Sequence, residues 1–230
     1  MRIAAAFPLI LGFALCRFPM ASWAALADCA APTGQKMTVQ VEAYPIQQDR
    51  SLSIARLSKR PIASRVKGLE GYDYALGLTE ATLQARAQMQ MLTTGDAARG
   101  YCSAITEAAI TIEWRTIVRI ASEIKPSTCI FDAVVTHEQK HVDLDRKLIP
   151  AARAGIEAAL AGVAAHAVSA ATVARSQAAL QERASTAINT AIDAFSARRS
   201  HDQLRIDTPA EYDKVPQACG RAALNRLLGH

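Results

Sequence analysis

The stretch AVVTHEQKHVDLD, residues 133–145, sets two of the chain's five histidines four positions apart, with Glu138 directly behind the first. Each residue of an α-helix turns the chain by about 100°, so His137 and His141 lie about 40° apart and one turn, about 5–6 Å, along the axis. Two imidazoles so placed can converge on one zinc ion (Zn2+), while Glu138 projects to the side, where it can hydrogen-bond a metal-bound water. In that arrangement zinc acidifies the water and polarises a carbonyl, and Glu138 acts as the proton carrier. The plain alternative is a solvated helix face whose i, i+4 ladder continues to Asp145. Lys140 counts on that side, because it places a charge between the histidines.

The flanks decide whether a helix is there to carry the motif. Ser127 or Thr128 can cap a helix beginning near Cys129, and Ile130, Phe131, Val134, Val135, Val142 and Leu148 supply apolar faces. Pro150 is expected to break or kink it, since proline has no N–H to give the preceding turn. A second helical stretch follows in AARAGIEAALAGVAA, and a third from about Ser169 to Arg199. The tail HDQLRIDTPAEYDKVPQACG, with two prolines, reads as irregular.

Ahead of the motif the period changes from 3.6 to 2. Met37, Val39, Val41 and Ala43 alternate with Thr38, Gln40 and Glu42, and Leu83 to Met91 alternates in the same way. The run AITIEWRTIVRIASEI, 109–124, is rich in β-formers; Ser51 to Arg60 suits a short helix and TTGDAARG a turn. The expected fold class is α+β: a small antiparallel sheet of three to five strands in the N-terminal half, 28–125, then a long-helix hairpin carrying H-E-x-x-H in 126–230.

Residues 1–27 have the form of a secretory signal peptide: Arg2, an apolar run from Ile3 to Cys16, then small residues ending at Ala27. The run is shorter than the roughly 20 residues of a membrane span and is interrupted by Pro8, Arg17 and Pro19, so no stable span is expected after processing. Leu15 before Cys16 argues against a lipid anchor. The location implied is periplasmic or secreted. Cleavage near Ala27 removes Arg2 and Arg17 and lowers the formal charge by two, from +5 to +3. Basic residues are scattered among acids, which speaks against nucleic acid as a partner.

Cys29, Cys102, Cys129 and Cys219 remain, an even number that suits two disulfides in an exported chain. The pairing favoured by the sequence is Cys102 with Cys129 and Cys29 with Cys219. No C-x-x-C pair is present, so a cysteine zinc site is disfavoured.

A catalytic zinc takes three protein ligands and leaves one position open. Asp145 is about 12 Å along the axis from His137, too far to be the third, and is better suited to accept from His141. Folding the helices back near residue 167 brings Asp193, and one or two turns further on His201, opposite the motif; Asp202, Asp207 and Tyr212 in the tail are further candidates, since a tail held by Cys219 could reach the site, and Asp193, His201 and Asp207 rank as near equals. His166 falls in a loop and His230 at the terminus.

Over roughly residues 28–220 the sequence resembles the bacterial predicted secreted zinc-dependent proteases, a family grouped under a domain of unknown function. The resemblance rests on the exported start, the strand-rich first half, HEQKH at 137–141 and the alanine-rich helical segment. Family members close that segment with Q-x-x-Y-D and a T-x-H-G element. Here Gln203 and Asp207 are kept, Ile206 replaces the tyrosine, and Tyr212 falls where the histidine belongs. The resemblance implies a single zincin-like domain acting on a peptide or protein substrate, with His137 and His141 on zinc and Glu138 catalytic. The competing expectation is a non-catalytic exported envelope or binding module with a degenerate or structural metal site.

Overall fold

A computed structural model of the chain describes residues 29–60 and 74–229; the signal-peptide expectation for 1–27 lies outside them. The fold is α+β, a five-stranded sheet covered on one face by two long helices. Strands β1 (Lys36–Ala43) and β2 (Gln47–Asp49) lead to a short helix α1 (Ile54–Ser58) and then to a long hairpin of β3 (Gly77–Asp96) and β4 (Gly100–Ile120). Helix α2 (Cys129–Ala164), strand β5 (Val168–Ala170) and helix α3 (Val173–Gln203) follow, and α4 (Pro209–Tyr212), α5 (Lys214–Cys219) and α6 (Arg221–Leu228) close the chain.

The hairpin turns within the expected TTGDAARG segment. Asp96 Oδ1 accepts from the N–H groups of Ala98 and Arg99 at 3.0 and 2.9 Å. Gly95 sits at φ +118°, where a Cβ would stand 2.1 Å from the Gly100 carbonyl oxygen, so only glycine fits. One edge of β4 is taken by antiparallel β3; β5, β1 and β2 pair with β4 in turn.

The sheet departs from expectation in one respect: β1 and β2 run parallel to β4, with Val39 opposite Ile110 and Gln48 opposite Val118. Alternation reports which face a side chain takes and carries no information on strand direction. The same parallel register corrects the disulfide pairing. With Lys36 opposite Glu107, the run before β1 travels toward the start of β4, and Cys29 bonds Cys102 at a Cα separation of 5.7 Å. The other bond joins Cys129, the first residue of α2, to Cys219, the last of α5, at 5.5 Å.

Alternation did locate the faces. Val39, Ala108, Ile110 and Ile112 turn inward against Ile156 and Leu160 of α2 and Leu180, Ala184 and Ile188 of α3. A neighbouring cluster sets Trp114 edge-on to Phe195, ring centroids 5.6 Å apart, with Leu148 and Ala152 beside them. A third gathers Leu57, Ile120, Ile124, Ile130, Val134, Val142 and Leu224. On the opposite face Glu113 is ringed by Arg86 and Arg115 at 2.8 and 3.2 Å.

Thr128 caps α2, its hydroxyl accepting from the Phe131 N–H. The helix is not broken at Pro150: it runs for 36 residues, about 54 Å. Apolar packing of Leu148, Ala152 and Ile156 on both sides of the proline outweighs the single backbone hydrogen bond it removes. Helix α3 begins four residues later than expected because Ser169 is drawn into β5 against Cys102. The tail, expected to be irregular, forms two short helices, α4 and α5, with α6 following directly; Thr208 caps the first with Pro209 at its opening position. No helix among the described residues is long and apolar enough to cross a membrane.

Candidate metal centre

The inward stripe of α2 is apolar at both ends and polar in the middle. Val134, Glu138, His141, Val142, Asp145 and Leu148 are all buried, most of them spaced three or four residues apart, so the helix that packs against the sheet also buries its ionisable groups. His137 lies at the edge of that stripe. Its ring stands 5.0 Å from that of His141, the planes crossing at 74°, and the two Nε2 atoms are 3.2 Å apart.

Helix α3 returns antiparallel to α2, ends at Gln203 beside His141, and releases the chain into a turn before α4. Asp207 sits in that turn. Its Oδ1 is 3.1 Å from His137 Nε2 and 3.2 Å from His141 Nε2. The three side chains form a group that could hold a metal ion, their ligand atoms all within 4.8 Å of one another.

Of the three near-equal candidates, only Asp207 reaches the histidines. Asp193 lies ten residues before Gln203 on α3, about 15 Å along the axis. His201 is exposed on the outer side of α3 and contacts Asp202 at 3.3 Å. Asp202 also faces Arg198 at 3.8 Å. Tyr212 is not in the cluster, but its ring lies 5.9 Å from that of His137 and lines the same cavity.

Glu138 is 3 % exposed and accepts at Oε2 from the Thr79 hydroxyl at 2.8 Å. Burial pushes its carboxyl above the ordinary range, against the pull of His141 and His137. Burial also raises Asp207 taken alone, but the hydrogen bonds and charges of both imidazoles prevail and hold it at about 2. His141 is moved upward: burial opposes its proton, and Asp207 and Glu138 together outweigh burial. Desolvation, reinforced by the charges of Asp207 and Glu138, raises the Tyr212 phenol well above its usual value.

Lys140 does not intrude between the imidazoles. It pairs with Glu211, which also accepts from Lys214 at 2.5 Å, and these two hydrogen bonds hold Glu211 at about 2. Glu211 Oε2 is 3.8 Å from His137 Nδ1. Asp145, expected to accept from His141 directly, does so through an intermediary: Gln203 Oε1 lies 2.5 Å from His141 Nδ1, while Gln203 Nε2 donates to Asp145 Oδ1 at 2.6 Å. Arg199 clamps Asp145 with two hydrogen bonds of 2.7 and 2.8 Å.

The group opens on a cavity of about 550 Å³ whose walls include His137, Glu138, His141 and Asp207, with Leu76 and Val215 among its apolar lining. Sequence reading did not single out Thr79, Gly77, Arg199 or Glu211. Thr79 and Gly77 carry no signal beyond a strand position; Glu211 was accessible as the fourth residue of the T-x-x-E capping pattern that starts at Thr208. The chain matches no protein-family model, no curated protein and no solved structure.

Proposed function

We propose that this protein is a zinc-dependent metallopeptidase, exported to the periplasm or beyond after cleavage near Ala27, that hydrolyses peptide bonds in a peptide or protein substrate. The observation that carries the reading is the triangle formed by His137 Nε2, His141 Nε2 and Asp207 Oδ1, with edges of 3.1, 3.2 and 3.2 Å. In a tetrahedral shell with Zn–N near 2.0–2.1 Å, neighbouring ligand atoms stand about 3.3 Å apart. Two imidazoles and a carboxylate are a donor set zinc accepts, three protein ligands are the number a catalytic zinc takes, and the three side chains that would hold it line the cavity. The retained Gln203 and Asp207 accord with the resemblance to predicted secreted zinc-dependent proteases. The two disulfides suit an oxidising compartment.

When bound, zinc supplies Lewis acidity: it lowers the pKa of a water to about 7 and polarises a substrate carbonyl. The residues of the chain do the rest. Thr79 donates to Oε2 of Glu138 and so holds the carboxylate that would take the proton of the attacking water and return it to the departing amine. Lys140 on α2 pairs with Glu211 on α4, which ties α4 and the turn before it, bearing Asp207, to α2.

Metal analysis of the purified protein tests the reading: about one zinc per chain is expected. A Glu138→Gln variant should keep its zinc and lose peptide hydrolysis. Purified protein that takes up no zinc, or a Glu138→Gln variant that cleaves peptides at the parent rate, ends it.

A further inference from the structure

The hydrogen bonds around His141 have only one consistent direction. Arg199 has donors at every nitrogen and no acceptor, so Asp145, 2 % exposed and gripped at both oxygens, accepts there. The Gln203 side chain faces two acceptors at one end, Asp145 Oδ1 at 2.6 Å and the His141 carbonyl oxygen at 3.1 Å. Only its NH2 group can occupy that end, since an oxygen there would meet two oxygens with no proton between them. Its Oε1 therefore faces His141 Nδ1, 2.5 Å away, and an amide oxygen can only accept.

On the reading of this cluster as a zinc site, we infer that Gln203 is a positioning residue that fixes His141 as the Nδ1–H tautomer and turns its Nε2 lone pair onto the metal position. Asp145 and Arg199 act one step behind, by preventing the amide from rotating. The charge of Asp145 is neutralised by Arg199, so the relay sets direction without adding charge to the centre. A hydrogen bond to the outer nitrogen of a ligating imidazole orients the ring and raises its basicity. His137 is held differently: the Glu211 carboxylate stands 3.8 Å from its Nδ1, beyond hydrogen-bonding distance. Gln203 thus distinguishes the two histidines: Nδ1 of His141 has an amide oxygen at 2.5 Å, and Nδ1 of His137 a carboxylate at 3.8 Å.

The test is long-range 15N–1H NMR of the zinc-loaded protein labelled at histidine nitrogens. His141 should show a metal-bound Nε2 and a slowly exchanging proton on Nδ1. In Gln203→Leu that proton should lose its protection, and zinc affinity, read by competition with a chelator, should fall about 10- to 100-fold. Coordination of zinc through Nδ1 of His141 in the parent protein overturns the inference, as does a Gln203→Leu variant with parental zinc affinity and a protected proton. Should that variant fail to fold, the parent spectrum decides alone. Zinc bound with the Nδ1 proton in place but no peptide cleaved leaves the inference standing and removes the peptidase reading.

Discussion

Asp207 Oδ1 stands 3.1 Å from His137 Nε2, although 70 residues of sequence separate the two. That separation spans the rest of α2, the β5 crossing and the whole of α3, so the site depends on the two helices lying antiparallel at the right length. Replacing Asp207 by Ala removes one of three donors and should lower zinc affinity by at least the 10- to 100-fold typical of weaker outer contacts. Asp193→Ala and His201→Ala should leave it unchanged. Equilibrium dialysis with zinc on the three variants checks this, and a strong effect of either control would reassign the third donor.

Glycine at position 77 is required by the carboxylate beneath it. A Cβ there would stand 2.5 Å from Glu138 Oε1 and 2.7 Å from Val134 Cγ1. Gly77→Ala must displace Glu138 or the start of β3, at a cost of about 1–3 kcal/mol for overpacking. Urea unfolding should show the loss of stability, and hydrolysis should fall with zinc still bound. A variant as stable and active as the parent would place Glu138 elsewhere.

The two disulfides close loops of similar size, with sequence separations of 73 and 90 residues, and on chain-entropy grounds each stabilises the fold by about 4–5 kcal/mol. They differ in what they hold. Cys129–Cys219 pins the tail carrying Asp207 and Glu211 to the helix carrying the histidines; Cys29–Cys102 ties the N-terminal run to the sheet. The double variant Cys129→Ser, Cys219→Ser should therefore lose zinc affinity, while Cys29→Ser, Cys102→Ser should lose stability alone. Chelator competition on both, at a temperature where each is folded, separates the two effects.

On the proposed reading, removing the metal should lower the melting temperature, because a zinc held by His137, His141 and Asp207 would join α2 to the turn after α3 in the folded chain alone. With free zinc at about 1,000 times Kd the stabilisation is about 4 kcal/mol, which for a chain of this size is about 8–16 °C in Tm. Calorimetry with and without chelator measures it; identical traces would show that these three side chains carry no ion.

Phe195→Ala opens a hole beside Trp114, where the rings meet edge-on at 5.6 Å. The expected loss is about 3–5 kcal/mol. Zinc affinity should be retained, because Phe195 packs in the cluster with Trp114, Leu148 and Ala152, apart from the three donors. Denaturant midpoints and zinc titration, run on the same sample, distinguish a packing role from a role in the site.

Local periodicity was sufficient for what depends on one element at a time. The alternation around Val39 and Leu83 marked strands and their buried faces, and the spacing of His137, Glu138 and His141 determined that two imidazoles share one face with a carboxylate beside them. The cap was legible to within one residue, Ser127 or Thr128, because its chemistry lies within four residues of itself; the structure uses Thr128. Strand direction, disulfide pairing and the third donor were not, since each is a relation between segments that no local period encodes. Whether Cys29 meets Cys102 or Cys219 follows from the parallel register of Lys36 with Glu107. Whether Asp193, His201 or Asp207 meets the histidines follows from α2 running on through Pro150 and from α3 starting at Val173. The residues alone thus determined the chemistry available on one turn of α2. Tertiary packing decided which carboxylate completes it, because helix length and crossing geometry, summed over about seventy residues, set where Asp207 arrives.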